Sequence, residues 1–161
     1  MTTSNSALQR PHILVITDDE DLKDFLLEGL VIGGFWVSVV ASALQTLEVF
    51  RLRTFDLAIV DLALGGMSAS ELIRRLRAAS GIQTDGSQRT DIPLVALADS
   101  PDSESAAAGL NAGADHVLSP PLELEELIPA LHGIVQQWRV EHPNRPYADE
   151  LAQSSGGNDP S

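Results

Sequence analysis

Five times along this chain a short run of aliphatic and β-branched residues gives way to a longer stretch of helical period. That alternation narrows the possible folds more than any other feature. The apolar runs are Ile13 to Ile16, Phe35 to Val40, Leu57 to Val60, Leu94 to Ala98 and His116 to Leu118. They are nearly continuous rather than alternating, as strands covered on both faces require. Leu22, Phe25, Leu26 and Leu30 recur at three- and four-residue steps, which predicts a first helix terminated by Gly33-Gly34. Ser42 predicts an N-cap for a second helix carrying Leu44, Leu47 and Leu52. Ser68 and Glu71 have capping-box spacing ahead of Leu72, Ile73 and Leu76. Ser100-Pro101 reads as an N-cap and first-turn proline for a fourth helix closed near Asn111 to Gly113. A fifth helix runs from Glu123 to about Glu141, where Pro129 should kink it or delay its start. Repeated strand–helix crossovers imply a parallel sheet with helices on both faces.

The 161 residues suffice for one such domain, with residues 80–91 read as a polar surface loop. Residues 1–11 are expected to be a flexible N-terminus, 12–141 the folded domain and 142–161 a disordered tail or linker. A net charge of −13 argues against nucleic-acid and anionic-membrane partners. The chain has no cysteine, so disulfides and thiolate chemistry are excluded. No apolar run resembles a signal peptide or a membrane span, and the expected location by elimination is cytoplasmic.

The strand ends carry the chemistry. The first strand runs straight into Asp18, Asp19, Glu20 and Asp21, the third ends at Asp61, and Asp99 follows the fourth. In a doubly wound sheet these carboxyl ends meet at the topological switch point, where ligands bind. A knot of like charge there needs either open solvent or a cation. Asp19, Glu20 and Asp21 suit the positive end of the following helix dipole, and Asp99 suits a helix cap working with Ser100. His12, His116, His132 and His142 share no ligand spacing, so zinc is not expected. The glycines of LGGM lack the pattern and lysine of a phosphate-binding loop. Trp36 and Trp138 are read as core and helix-packing residues.

The segments ILVITDDEDLKDFL, FDLAIVDLALGGMSASEL, IPLVALAD and GADHVLSPPL, in that order, resemble the receiver domain of two-component response regulators over roughly residues 12–140. The resemblance implies the flavodoxin-like (βα)5 fold, a doubly wound five-stranded parallel sheet. It implies that Asp61 is the phosphoacceptor position and that Mg²⁺ is held by Asp18, Asp61 and the backbone oxygen of Ala63. The metal would offset the charge of the carboxylate and of an incoming phosphate. A histidine kinase or phosphotransfer protein, an effector protein, and a homodimer through the face of the fourth helix, fifth strand and fifth helix are the partners it implies. Such a domain signals and is not expected to be an enzyme.

Three departures from the family's pattern matter most. Thr17 stands where the first acid of the acidic pair is usual, so that Asp19 falls one residue past the pair. Ala98 stands at the place of the hydroxyl residue ending the fourth strand, and Pro120 at that of the lysine ending the fifth. Lys23, the only lysine of the chain, matches neither place. Gly65 and Val117 likewise replace a common proline and a common aromatic. The hydroxyl and the lysine are the groups that engage the phosphoryl group and transmit its presence. The expectation is therefore a degenerate receiver acting through protein–protein contact, with any Mg²⁺ held weakly. A working Mg²⁺-dependent phosphoacceptor at Asp61 is the alternative. An α/β enzyme or nucleotide-binding domain using the same crevice is a third reading, disfavoured by the missing glycine-rich loop and nucleophile–base pair.

Overall fold

The computed structural model describes residues 10–79, 91–143 and 148. Its elements alternate as β1 (His12–Ile16), α1 (Glu20–Ile32), β2 (Trp36–Val40), α2 (Ala43–Leu52), β3 (Leu57–Asp61), α3 (Ala69–Ala79), β4 (Leu94–Leu97), α4 (Glu104–Ala112), β5 (His116–Leu118) and α5 (Leu124–Glu141). The strands form one parallel sheet in the order β2-β1-β3-β4-β5. The chain winds outward from β1 to β2, then returns past β1 to β3, so the winding reverses between β1 and β3. Ile16 is paired with Val60. The next residue of each strand, Thr17 and Asp61, is thereby delivered side by side at the switch point.

Strand periodicity sorts the buried side chains into two layers. Leu14, Ile16, Ala58, Val60, Leu94 and Ala96 face α2 and α3 through Phe50, Leu72, Ile73 and Leu76. Ile13, Val15, Leu57, Ile59, Val95 and Leu97 face α1 and α5 through Leu26, Leu30, Leu127, Leu131 and Val135. α1 and α5 approach closely, because a Cβ on Gly29 would overlap the side chain of Leu124. On the other side, Arg77 of α3 donates to the carbonyls of Gly113 and Ile92 and pairs with Asp115 at 2.6 Å, tying α3 to the β4 and β5 entries.

The predicted helix ends hold in part. Gly33 caps α1, with Gly34 at φ 101°, and the Ser42 side chain accepts the Gln45 amide at the start of α2. The inward face of α2 is Ala43, Thr46 and Phe50, with Leu47 packed against the same core, whereas Leu44 and Leu52 are 71% and 78% exposed. Phe50 fixes this phase by packing edge-on against Phe55, and Thr46 tolerates burial because its hydroxyl donates to the Ser42 carbonyl. Half of the predicted capping box forms: Ser68 Oγ accepts the Glu71 amide, while the Glu71 carboxylate turns to Arg74 and Arg75. Trp138 is buried as expected, but Trp36 is 45% exposed and lies beneath the Arg10 guanidinium. Pro129 does not delay α5, which starts at Leu124 and continues past it. Pro129 is exposed, so the helix carbonyl that it cannot satisfy is open to water.

The fourth helix starts later than expected. Residues 100–103 form a turn closed by the Ser103 amide on the Ser100 carbonyl, and α4 begins at Glu104. Ser103, not Ser100, is the N-cap, its Oγ accepting the Ala106 amide at 3.1 Å. Asp99 therefore lies outside any cap. Ser103→Ala is expected to cost about 1 kcal/mol in urea unfolding. Ser100→Ala should stay within about 0.5 kcal/mol of wild type; the reverse order would place the cap where the sequence suggested it.

The loop expected at 80–91 lies outside the described residues except for Asp91, as do the first nine residues. Of the segment expected as a tail, Ala148 is described: it is buried, and its amide donates to both carboxylate oxygens of Asp56 at 3.0 and 3.2 Å.

Candidate functional site

The site is assembled where β1, β3, β4 and β5 end. Asp61 is the last residue of β3 and is only 7% exposed. Its Oδ2 accepts a hydrogen bond from Thr17 Oγ1 at 2.6 Å, and its Oδ1 accepts one from the Ala63 amide at 2.9 Å. Thr17 is itself buried, anchored by its amide on the Val40 carbonyl of β2. The Thr17 oxygen also accepts the Asp19 amide at 3.1 Å. A threonine hydroxyl has one proton to give, and this one goes to Asp61. Among the described residues, no cation pairs with Asp61.

The four consecutive acids separate into different tasks. Asp18 is exposed and reaches across to the β3–α3 turn, where its Oδ2 accepts the Gly65 amide at 3.2 Å. Asp19 is the N-cap of α1, accepting the amides of Asp21 and Leu22. Glu20 and Asp21 occupy the first helical turn, where the helix dipole favours negative charge. Glu20 also receives Lys23 Nζ at 2.8 Å, and that bond together with the Glu20 charge raises the Lys23 pKa above its ordinary value. Lys23 is thus committed to α1. The like charges are relieved by backbone amides and solvent rather than by a shared cage: among the described residues, no three acidic or histidine side chains converge as metal ligands.

The sequence-predicted residues Asp18, Asp61 and Ala63 are brought together around one turn. Asp61 and Ala63 are joined directly, and Asp18 is joined through Gly65. Ala98 follows β4, only 5% exposed, and its amide donates to the Leu118 carbonyl at 2.8 Å, a backbone bond that ties the β4 and β5 ends together. Pro120 lies two residues beyond β5, exposed, with a cis bond to Pro121. Sequence reasoning treated Thr17 as a missing acid and overlooked its bond to Asp61. The signal was available, since residues that follow paired positions of adjacent parallel strands must be neighbours.

Two carboxylates and a carbonyl form an oxygen donor set suited to a hard divalent cation that keeps most of its water. The residues fit Mg²⁺ in kind, with fewer charges than a dedicated cage.

Comparison with known proteins agrees with this geometry. The response regulator receiver domain family matches residues 13–132. The DNA-binding response regulator MtrA of Mycobacterium tuberculosis is 34% identical over 119 residues, which are 74% of this chain and 48% of MtrA. The transcriptional regulatory protein CseB of Streptomyces avermitilis is 26% identical over 150 residues, covering 92% of this chain and 60% of CseB. The chain thus spans about half the length of these curated relatives. Among solved structures, the receiver domain of the sensor histidine kinase PA1611 from Pseudomonas aeruginosa superposes with a TM-score of 0.69 at 22% identity, over 80% of this chain and 99% of that one. That structure has a magnesium ion coordinated in its active-site cleft.

Proposed function

Because this chain belongs to the response regulator receiver domain family, we propose that it is a degenerate receiver whose output is protein–protein contact rather than a phosphoryl-driven switch. The receiver unit in this reading is residues 12–141. The observation that carries it is the pair Ala98 and Pro120. A methyl group and a pyrrolidine ring stand where a hydroxyl and an ammonium would grip a phosphoryl group on Asp61. A ligand shifts a conformational equilibrium only through contacts that differ between the two states. Neither side chain can hydrogen-bond phosphate, so a phosphoryl group would have little hold on the β4 and β5 ends.

Asp18, Asp61 and the Ala63 carbonyl would hold Mg²⁺, which would supply neutralisation of the carboxylate and of an incoming phosphate. Asp61 binds the turn through its Oδ1, and Asp18 draws the same turn toward β1. This arrangement favours a working phosphoacceptor as the second reading. The partners in either case are a histidine kinase or phosphotransfer protein, an effector, and a second copy meeting through the α4–β5–α5 face. MtrA is named as DNA-binding, and this chain matches 48% of its length. With a net charge of −13, this chain is proposed to touch protein rather than nucleic acid. Among the described residues no helix is long and apolar enough to cross a membrane. A cytoplasmic site of action is proposed.

The test is beryllofluoride with Mg²⁺, followed by amide NMR against an Asp61→Asn control. The expected shifts are confined to residues 17–18 and 61–65. Wild-type shifts that spread through 98–120 and vanish in the control would establish the second reading instead.

A further inference from the structure

We propose that Thr17 acts as a built-in substitute for the cation at Asp61. It is a positioning residue that keeps the carboxylate satisfied without metal and thereby sets a low divalent-cation affinity. The inference rests on the assignment of Asp61 and Asp18 as the strand-end site, and it goes further by saying which residue regulates that site.

The geometry is directional. Thr17 is 2% exposed, so its hydroxyl cannot trade partners with bulk water. Its oxygen is already an acceptor for the Asp19 amide at 3.1 Å. The single hydroxyl proton therefore points at Asp61 Oδ2, and the 2.6 Å separation is that of a strong bond to an ionised acceptor. Asp61 Oδ1 is engaged by the Ala63 amide. Asp18 Oδ2 is engaged by the Gly65 amide. Both aspartates have protein donors before any cation arrives, and on Asp61 both oxygens already carry one, which lowers what a metal gains there. An acid at position 17 would do the opposite: it would place a second carboxylate against Asp61 in a buried setting, a repulsion that a divalent cation relieves.

Thr17 also couples the site to the start of α1. The oxygen that donates to Asp61 accepts from Asp19, and Asp19 caps that helix through Asp21 and Leu22. Loss of the hydroxyl should therefore be felt at both the carboxylate and the helix cap.

The experiment measures Mg²⁺ binding by isothermal titration and Mn²⁺ binding by paramagnetic broadening of the amides of residues 17–19 and 61–65, in wild type, Thr17→Ser, Thr17→Val and Thr17→Asp. Thr17→Val keeps the shape and frees Oδ2, so its cation affinity should rise several-fold. Thr17→Asp should bind about tenfold or more tightly than wild type, and its melting temperature should depend on Mg²⁺. Thr17→Ser keeps the proton and should match wild type in both, with melting indifferent to Mg²⁺ or a chelator. If Thr17→Asp folds only with metal, that dependence itself supports the proposal, and Thr17→Val still gives an independent reading. Equal affinity in wild type and Thr17→Val, or a wild-type melting temperature as metal-dependent as that of Thr17→Asp, would overturn it. These readouts are separate from the beryllofluoride response, so a failed switch assignment and a failed role for Thr17 give different patterns.

Discussion

Asp56→Ala is expected to lower the unfolding free energy by about 3–5 kcal/mol, among the largest losses any single polar side chain of this chain can produce. Asp56 lies just before β3 and is 2% exposed. Its Oδ2 accepts the His12 amide at 2.8 Å, while its own amide donates to the His12 carbonyl at the same distance, so it joins the entry of β1 to that of β3. Both carboxylate oxygens also accept the Ala148 amide. Alanine removes charge-assisted bonds worth about 1.5–3 kcal/mol each and leaves buried donors without partners. Against a total stability of roughly 5–15 kcal/mol for a domain of this size, that is a substantial fraction. Asp56→Asn retains an acceptor oxygen and should lose about half as much. Urea unfolding followed by circular dichroism measures both. A loss below about 1 kcal/mol for alanine would mean that water satisfies these amides and that the carboxylate adds little. Removing the residues after Pro143 takes the Ala148 amide away from Asp56 and should also lower stability, and comparison of the truncated and substituted chains separates the β1 contact from the C-terminal one.

Asp56 marks a limit of the sequence reading. Among the described residues its amide partners lie 44 and 92 residues away, and nothing local distinguishes an acid that will be buried from one that will be solvated. The sheet was legible for the opposite reason. Strands buried on both faces must be apolar throughout, and LAIVD and HILVI leave no other assignment. The position of Asp61 followed from that, because a charged residue can enter such a strand only at its end. Helix phase was less legible. In α2 the sequence shows three leucines but not which of them turn inward: Phe50 against Phe55 sets the rotation, which leaves Leu47 against the core and Leu44 and Leu52 outside. At α4 the sequence points to Ser100 as the cap, whereas the structure uses Ser103. Pro101 favoured the first, but a turn closed by Ser103 on Ser100 used up that segment before the helix began. The site itself divides along the same line. The residue identities at 17, 98 and 120 are plain in the sequence, whereas the direction of the Thr17 proton depends on three elements meeting in space.

On the reading proposed above, supplying a hydroxyl and an ammonium, with Ala98→Ser and Pro120→Lys together, is expected to raise beryllofluoride affinity about a hundredfold in the presence of Mg²⁺. One neutral hydrogen bond contributes about 1 kcal/mol and one charge-assisted bond about 1.5–3 kcal/mol, and about 1.4 kcal/mol corresponds to each tenfold. Both positions admit the change. Serine adds one oxygen at a position whose own amide is already fixed on Leu118, and Pro120 is exposed, so a lysine stem can lie along the surface with its ammonium in solvent. Each single variant should gain only its own share. The double variant should also spread fluoride-dependent amide shifts through residues 98–120, which wild type should not show, and Asp61→Asn should abolish the effect. Thr17→Asp in the same background tests whether the two deficits are separable. If cation binding and phosphoryl sensing are independent, its gain multiplies that of the double variant. A gain seen only when all three residues are changed would mean that the Thr17 proton, by keeping the cation away from Asp61, silences the switch before the contacts at 98 and 120 can matter.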